Sequence, residues 1–309
     1  MLKFIVRRLL WLPILLFMVS AFTFFIGTYG PGDPVQVMLG ARYDPDTADR
    51  LRMSLGLDRP VIIQYVDYMT SAMQGDFGES LRYRGRGVMS LLAPKMLVSL
   101  QVNLVAMSVS IIIGLPLGFW LAHKQGTWID PFVVSLTLMI MSIPIMLSIP
   151  LALWGLCLKA DLVPCSGWGG VFDSRILIPA ITMGLPGVAG LARLMRSSTL
   201  EVLGQDFVRT AYAKGLTRIQ VDYRHVLRNS IIPIITVLSL SLAGMLTTGF
   251  ITERLLGIPG VGDFAIQSIF NRDYPVIMAF TIVLATVFVF ANLLADIAYM
   301  LIDPRIRVT

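Results

Sequence analysis

Long apolar runs alternate along this chain with short polar intervals. Six runs, Leu9 to Gly32, Met96 to Ala122, Pro131 to Leu158, Ile176 to Ala192, Asn229 to Thr252 and Tyr274 to Ala295, extend for 17 to 28 residues without one charged side chain. A bilayer core about 30 Å thick is crossed by about 20 helical residues rising 1.5 Å each, so each run can span it. The runs are continuous, without the strict alternation of a barrel strand, and this selects helices. The pattern predicts an all-α integral membrane protein with six transmembrane helices. They are placed at about 9–30, 97–122, 132–157, 176–195, 230–252 and 275–301, within a single membrane domain of residues 1–309.

Composition agrees with that pattern. The chain is 56% hydrophobic with a mean hydropathy of +0.76, and every backbone polar group in lipid must be paired inside a helix or closed barrel. No remaining segment is long enough for a soluble catalytic domain. The net charge of +6 raises nucleic acid as a partner, but the distribution of basic residues points to membrane orientation instead. A cytoplasmic N-terminus puts Lys3, Arg7, Arg8, Lys124, Arg193, Arg196 and the basic residues from Arg209 to Arg228 inside, with Arg305 and Arg307 at the other end. The two short outer loops then hold only Lys159, Arg175, Arg254 and Arg272, as the positive-inside rule requires. Both termini are therefore expected in the cytoplasm. The first run exceeds a usual signal core, and Gly30-Pro31-Gly32-Asp33-Pro34 after it lacks a small-x-small cleavage site, so it reads as a retained anchor. Cys157 and Cys165 fall near the outer surface, where they could be oxidised, but two cysteines make no framework.

The polar intervals carry their own signals. Residues 31–96 read as a helical extracytoplasmic segment: Asp44 and Pro45 open one helix that Gly56 follows, and Asp58 and Pro60 open a second that Gly75 closes. Ile62, Val66, Met69 and Met73 form an apolar stripe on the second. The segment reads as a cap on the membrane domain or as a docking surface for an extracytoplasmic partner, and the two are compatible. Pro116, Pro144, Pro150, Pro179 and Pro186, with several glycines, interrupt the second to fourth runs, where they serve close packing or mark break points for movement. Asn292 and Asp296 form a candidate intramembrane polar site one helical turn apart. Asp296 either faces protein or a watery cavity, or reaches the cytoplasmic interface.

The longest cytoplasmic interval, 197–228, is too polar for a seventh span. It contains Leu203-Gly204-Gln205-Asp206-Phe207-Val208-Arg209-Thr210-Ala211-Tyr212-Ala213-Lys214-Gly215-Leu216 and then His225-Val226-Leu227-Arg228-Asn229. Helical spacing puts Phe207, Thr210 or Ala211, and Lys214 on one face. By sequence physics alone such a helix seats on a partner protein or lies on the anionic inner leaflet.

This interval resembles the EAA loop of binding-protein-dependent ABC importer permeases, in the branch that handles dipeptides, oligopeptides and nickel. Similarity to the first of that branch's two permeases extends over nearly the whole chain. It runs through Pro31-Gly32-Asp33-Pro34, Leu55-Gly56-Leu57-Asp58-Arg59-Pro60, Gly75-Asp76-Phe77-Gly78-Glu79-Ser80, Pro259-Gly260-Val261-Gly262, Arg272-Asp273-Tyr274-Pro275-Val276 and Asp303-Pro304-Arg305-Ile306-Arg307. Arg209, Thr210 and Ala211 stand where the general pattern has Glu-Ala-Ala, as is usual in the peptide and nickel branch. Pro94-Lys95-Met96-Leu97 departs from the expected Pro-Ala-Thr-Leu.

The resemblance implies a coupling helix between the fourth and fifth spans, seated on an ATPase subunit through Phe207, Arg209, Thr210, Ala211, Ala213, Lys214 and Gly215. Small residues at 211, 213 and 215 would let the backbone approach the partner. It implies a bacterial or archaeal plasma membrane, with a second permease, two ATPase subunits, an extracytoplasmic substrate-binding protein and membrane lipid as partners, and no nucleic acid. Cargo would be di- or oligopeptides, or nickel, glutathione or another small solute.

Several other activities lack their residues. No G-x-x-x-x-G-K-[ST] occurs, so the chain is expected to be non-catalytic, with ATP and Mg on the partner ATPases and no cofactor of its own. Gly257-x-x-Gly260-x-Gly262 follows an apolar span and reads as a turn-rich loop. His123 and His225 are the only histidines and neither opens a zinc motif. A secondary transporter or channel would place charges near the midplane or show internal repeats. An intramembrane hydrolase would need a histidine or a G-x-S-x-G within the spans, and they contain neither.

Overall fold

The computed structural model describes residues 2–29, 34–39, 44–54, 56–246 and 249–302; the side chains of 2–9, 29, 34, 37, 38, 54, 243 and 295–302 lie outside the described set. Helices α1 (Leu2–Tyr29), α2 (Pro34–Leu39), α3 (Pro45–Ser54) and α4 (Val61–Met73) precede the 35-residue α5 (Val88–Ala122). Then come α6 (Ile129–Ser142), α7 (Ile145–Ala152), α8 (Leu177–Leu203), α9 (Asp206–Ala213), α10 (Arg218–Val221), α11 (Arg228–Ser230), α12 (Ile232–Gly244), α13 (Phe250–Leu256), α14 (Val261–Phe270) and α15 (Tyr274–Ile302). π-helical turns at Leu153–Lys159 and Asp222–Leu227 extend α7 and join α10 to α11. The described residues contain no strand, only an isolated bridge between Glu79 and Gly87.

Among the described residues four helical stretches are long and apolar enough to cross a bilayer: Leu10–Thr28, Val88–Ala122, Ser174–Leu203 and Tyr274–Leu294. Two bent pairs raise the number to six if each is one span: Ile129–Ser142 with Ile145–Lys159 at 97°, and Arg218–Ser230 with Ile232–Leu242 at 43°. The sharper bend has a local cause. Pro144 lacks an N–H and drives Ile143 out of the helical region, to φ −82° and ψ 115°. The 14 residues of α6 then rise only about 21 Å, short of a full crossing.

Other elements also differ from their sequence-based limits. α5 begins nine residues before the expected 97, with Pro94 inside its second turn, and α8 continues past 195 to Leu203, so the start of the 197–228 interval is a helical extension. The expected 230–252 is divided: α12 ends at Gly244 and a separate α13 begins at Phe250. The Gly257 to Gly262 run is part turn and part helix, because α14 starts at Val261. Cys157 and Cys165 are joined in a disulfide, which their closeness across a tight turn permits.

The chain divides into two compact units. One comprises Met1–Val98 and Pro259–Phe290. Its core joins Phe77, Val88, Leu92, Val261, Phe264 and Val276. Within it Asp44 caps α3, accepting from the Thr47 hydroxyl at 2.7 Å and the Thr47 N–H at 3.0 Å, and these bonds hold its carboxyl below the usual range. Tyr65 and Tyr68 turn α4 toward Phe17 and Phe24 of α1, and the Tyr65 hydroxyl is 2.8 Å from Ser20. Ile62, Val66 and Met73 of the apolar stripe stay exposed. Buried Asp273 accepts from the Ser80 hydroxyl and the Leu81 N–H, tying the segment after α4 to the start of α15.

The other unit comprises Ser99–Ile258 and Ala291–Thr309. Residues 99–122 of α5 pack on α8 through Gly114 and Gly118, whose four-residue spacing lets two backbones approach. A Cβ at Gly114 would lie 2.9 Å from the Val188 carbonyl, and one at Gly118 would lie 2.8 Å from the Met195 Cβ. Gly118→Leu is therefore expected to abolish monodisperse protein in gel filtration of detergent extracts. Gly190→Leu, where a Cβ meets nothing within 4 Å, should leave the elution profile unchanged.

Candidate functional site

Two features of the second unit bear on function: the short helix α9 with the segment after it, and a cavity among α5, α6, α8 and α12. The sequence builds α9 compactly. Gln205 is extended before it, and its C-terminus closes in a Schellman arrangement, with Gly215 N–H donating to the Tyr212 carbonyl at 2.9 Å and Leu216 N–H to that of Ala211 at 3.4 Å. Gly215 has φ +82°, a left-handed conformation that glycine adopts without strain.

α9 has two unlike faces. Val208 (2% exposed) and Ala211 (4%) pack with Val221 and Val226 into a small core that Phe119, Val202, Leu203 and Leu216 close. Phe207, Arg209, Thr210, Tyr212, Ala213, Lys214 and Gly215 are exposed. The sequence reading put Ala211 among the residues that approach a partner. The structure instead turns it inward, because it sits three residues after Val208 on the same apolar stripe. Two exposed apolar residues that the sequence reading passed over, Ile219 and Tyr223, each 70% exposed, stand on the next helical segment. Their signal was an apolar side chain amid the charges of 214–228. Arg209 lies 3.7 Å from Asp206 in a solvent-exposed pair, worth little in stability.

Polar contacts fix this loop to the unit. His123 Nε2 is 3.1 Å from the Asp222 carboxylate and its Nδ1 is 3.0 Å from the Phe119 carbonyl. The Ser198 hydroxyl donates to the Ser230 carbonyl at 2.8 Å. Arg196 of α8 forms a two-pronged pair with Asp130 of α6, with both contacts at 2.6 Å.

The cavity has a volume of about 970 Å³. No charged residue lines it; its wall is mostly apolar, with Asn103, Ser110, Thr182 and Ser241 as polar members. The three hydroxyls and the Asn103 side-chain amide each donate to a carbonyl one helical turn back. The bend at Ile143 and Pro144 borders the cavity, one of the few settings in which non-helical backbone is tolerated at membrane depth. Beside it Glu253 of α13 is 1% exposed and accepts from the Ser99 hydroxyl. The sequence reading ended the fifth span at Thr252 and left this carboxylate outside. Asn292 is partly buried on α15, and the Asp296 side chain lies outside the described residues.

Comparison with known proteins identifies the family. The family model described as "Binding-protein-dependent transport system inner membrane component" matches residues 114–308, and the one for the N-terminal part of such membrane components matches residues 1–83. The chain is 32% identical to the oligopeptide transport system permease protein OppB of Haemophilus influenzae, over 99% of this chain and 100% of that one. It is 34% identical to the dipeptide transport system permease protein DppB of Escherichia coli K12, over 99% of each. It is 37% identical to the di/tripeptide transport system permease protein DppB of Pseudomonas aeruginosa, again over 99% of each. Among solved structures, an inward-facing form of the methionine ABC transporter MetNI matches with a TM-score of 0.55 at 18% identity, covering 70% of this chain and 97% of that one, a likeness of fold. A multi-pass helical chain matched almost end to end by such relatives and by both family models belongs to the binding-protein-dependent transport system inner membrane components, the permeases of ABC importers.

Proposed function

We propose that this chain pairs with a second permease to form the path for imported di- or oligopeptides, and that α9 is the helix gripped by an ATPase subunit. Full-length similarity to three peptide permeases supports the cargo. The observation that carries the coupling reading is the helix itself. α9 is closed at its C-terminus, anchored on its apolar face, and presents Phe207, Arg209, Thr210, Tyr212, Ala213, Lys214 and Gly215 outward from a cytoplasmic loop. Ile219 and Tyr223 extend that surface. Ala211 holds the helix to its own chain.

ATP, with Mg, is bound and hydrolysed by the two ATPase subunits; this chain supplies path and lever. Closure of the ATPases moves α9, and the permease pair alternates between outward and inward openings. A binding protein delivers cargo from outside. An uncharged cavity wall suits a path that must release a peptide with charged termini, because a fixed countercharge would hold it.

Reconstitution tests this reading. Proteoliposomes holding both permeases and both ATPases, with binding protein outside and ATP inside, are expected to accumulate labelled tripeptide. Accumulation by liposomes holding this chain alone, without ATP, would overturn the importer reading. ATP-driven uptake of nickel with no uptake of any peptide would overturn the cargo.

A further inference from the structure

We infer that Phe119 and His123, at the cytoplasmic end of α5, are positioning residues that carry the movement of α9 to the wall of the cavity; the inference rests on α9 being the docking helix. Phe119 belongs to two packed groups at once. On one side it closes the core of Val208, Ala211, Val221 and Val226, which is the underside of α9 and the segment after it. On the other it packs against Leu191, Met195 and Ile234 of α8 and α12, a group completed by Leu194 and Leu238. Leu191, Leu194 and Leu238 also line the cavity. One aromatic ring thus lies between the element an ATPase would move and the surface a passing peptide would touch.

The surroundings leave that ring little freedom to yield. Gly118, the residue before it, is pressed against the Ala192 backbone and Met195, so α5 and α8 meet without slack. Close-packed interiors transmit displacement where a loose contact would absorb it. His123 sets the angle of the contact. Its ring centroid is 4.9 Å from that of Phe119, its Nδ1 is 3.0 Å from the Phe119 carbonyl and its Nε2 is 3.1 Å from Asp222. Arg218 approaches the other Asp222 oxygen at 3.7 Å. Both ring nitrogens of His123 therefore point at acceptors, one on α5 and one in the loop, so α5 and the loop move together. Among the described residues this is a contiguous chain of contacts from α9 through Phe119 to Leu191 and the cavity.

The test follows the cavity wall directly. Ser241→Cys places a thiol in the cavity lining, and the native cysteines are paired with each other. In the assembled complex its rate of maleimide labelling is expected to change when ATP and vanadate trap the ATPases. Phe119→Ala should remove that change and lower the stimulation of ATPase activity by loaded binding protein about tenfold, the scale of a lost coupling between sites. Phe119→Met, which fills much of the same space, should restore part of both. His123→Gln, which removes the ring that lies between the Phe119 carbonyl and Asp222, should weaken both. If Phe119→Ala fails to retain its ATPase subunits, Phe119→Met and His123→Gln carry the test, and full nucleotide response in the two together overturns the relay. Lys214→Cys provides the control for docking. If it cross-links to an ATPase subunit while Phe119→Ala responds normally, the relay alone is wrong; if it cross-links in no nucleotide state, the docking reading itself fails.

Discussion

Gly215→Trp is expected to uncouple transport from ATP hydrolysis while leaving the chain folded in the membrane. Gly215 closes α9 with φ +82°, and a Cβ there would meet nothing within 4 Å. A side chain at this position therefore projects into solvent from the end of the exposed face of α9, without clashing inside its own chain. Its folding penalty is the backbone strain of a non-glycine residue in the left-handed region, about 1 kcal/mol, which a packed membrane protein tolerates. An indole standing between α9 and a close-fitting groove costs more than the roughly 1.4 kcal/mol of one decade in affinity. Ligand-stimulated ATPase activity of the reconstituted complex should thus fall by about tenfold or more. Gly215→Asn separates strain from bulk, because asparagine adopts the left-handed region more readily and is small. It should retain most of the stimulation. Normal stimulation in the tryptophan variant would remove α9 from the coupling role.

Arg196→Ala is expected to produce the largest loss of stability among single side-chain truncations around α9 and the ends of α6 and α8 beside it. The guanidinium meets Asp130 with two contacts of 2.6 Å, and the Asp130 side chain is only 9% exposed. Truncation leaves a covered carboxylate without its partner, which costs about 3 kcal/mol, whereas an exposed pair such as Arg209 with Asp206 contributes about 0–1 kcal/mol. Thermal unfolding in detergent should show a clear drop in midpoint for Arg196→Ala and almost none for Arg209→Ala. Asp130→Asn with Arg196→Gln, which removes both charges and keeps hydrogen-bonding groups, should recover part of the loss. Equal midpoints for Arg196→Ala and wild type would show that the pair carries no stability.

Much of the local structure was readable from residue types. Asp44 before Pro45 specified the start of α3, and the spacing of Phe207, Thr210 or Ala211, and Lys214 carried the helix α9. The seven motifs carried the family. The facing of α9 was only half legible. Helical spacing left Thr210 and Ala211 as alternatives on one side, and only the packing of Val221 and Val226 shows that Ala211 turns inward. Ile219 and Tyr223 were overlooked because isolated apolar residues in a charged loop have no periodicity to mark them. Glu253 was placed outside the fifth span because its charge ended an apolar run, yet Ser99, more than 150 positions away, provides a donor that lets it be buried.

The order of apolar runs and breakers was decided by the chain itself, because transfer into lipid and helix capping depend on residues within a turn or two of each other. Where Pro144 sends the chain after α6, which side of α9 faces its own unit, and which charges find each other across that unit were decided in three dimensions. Each of those depends on atoms distant in sequence that meet only when helices pack, such as Arg196 on Asp130 and Phe119 between α9 and the cavity wall.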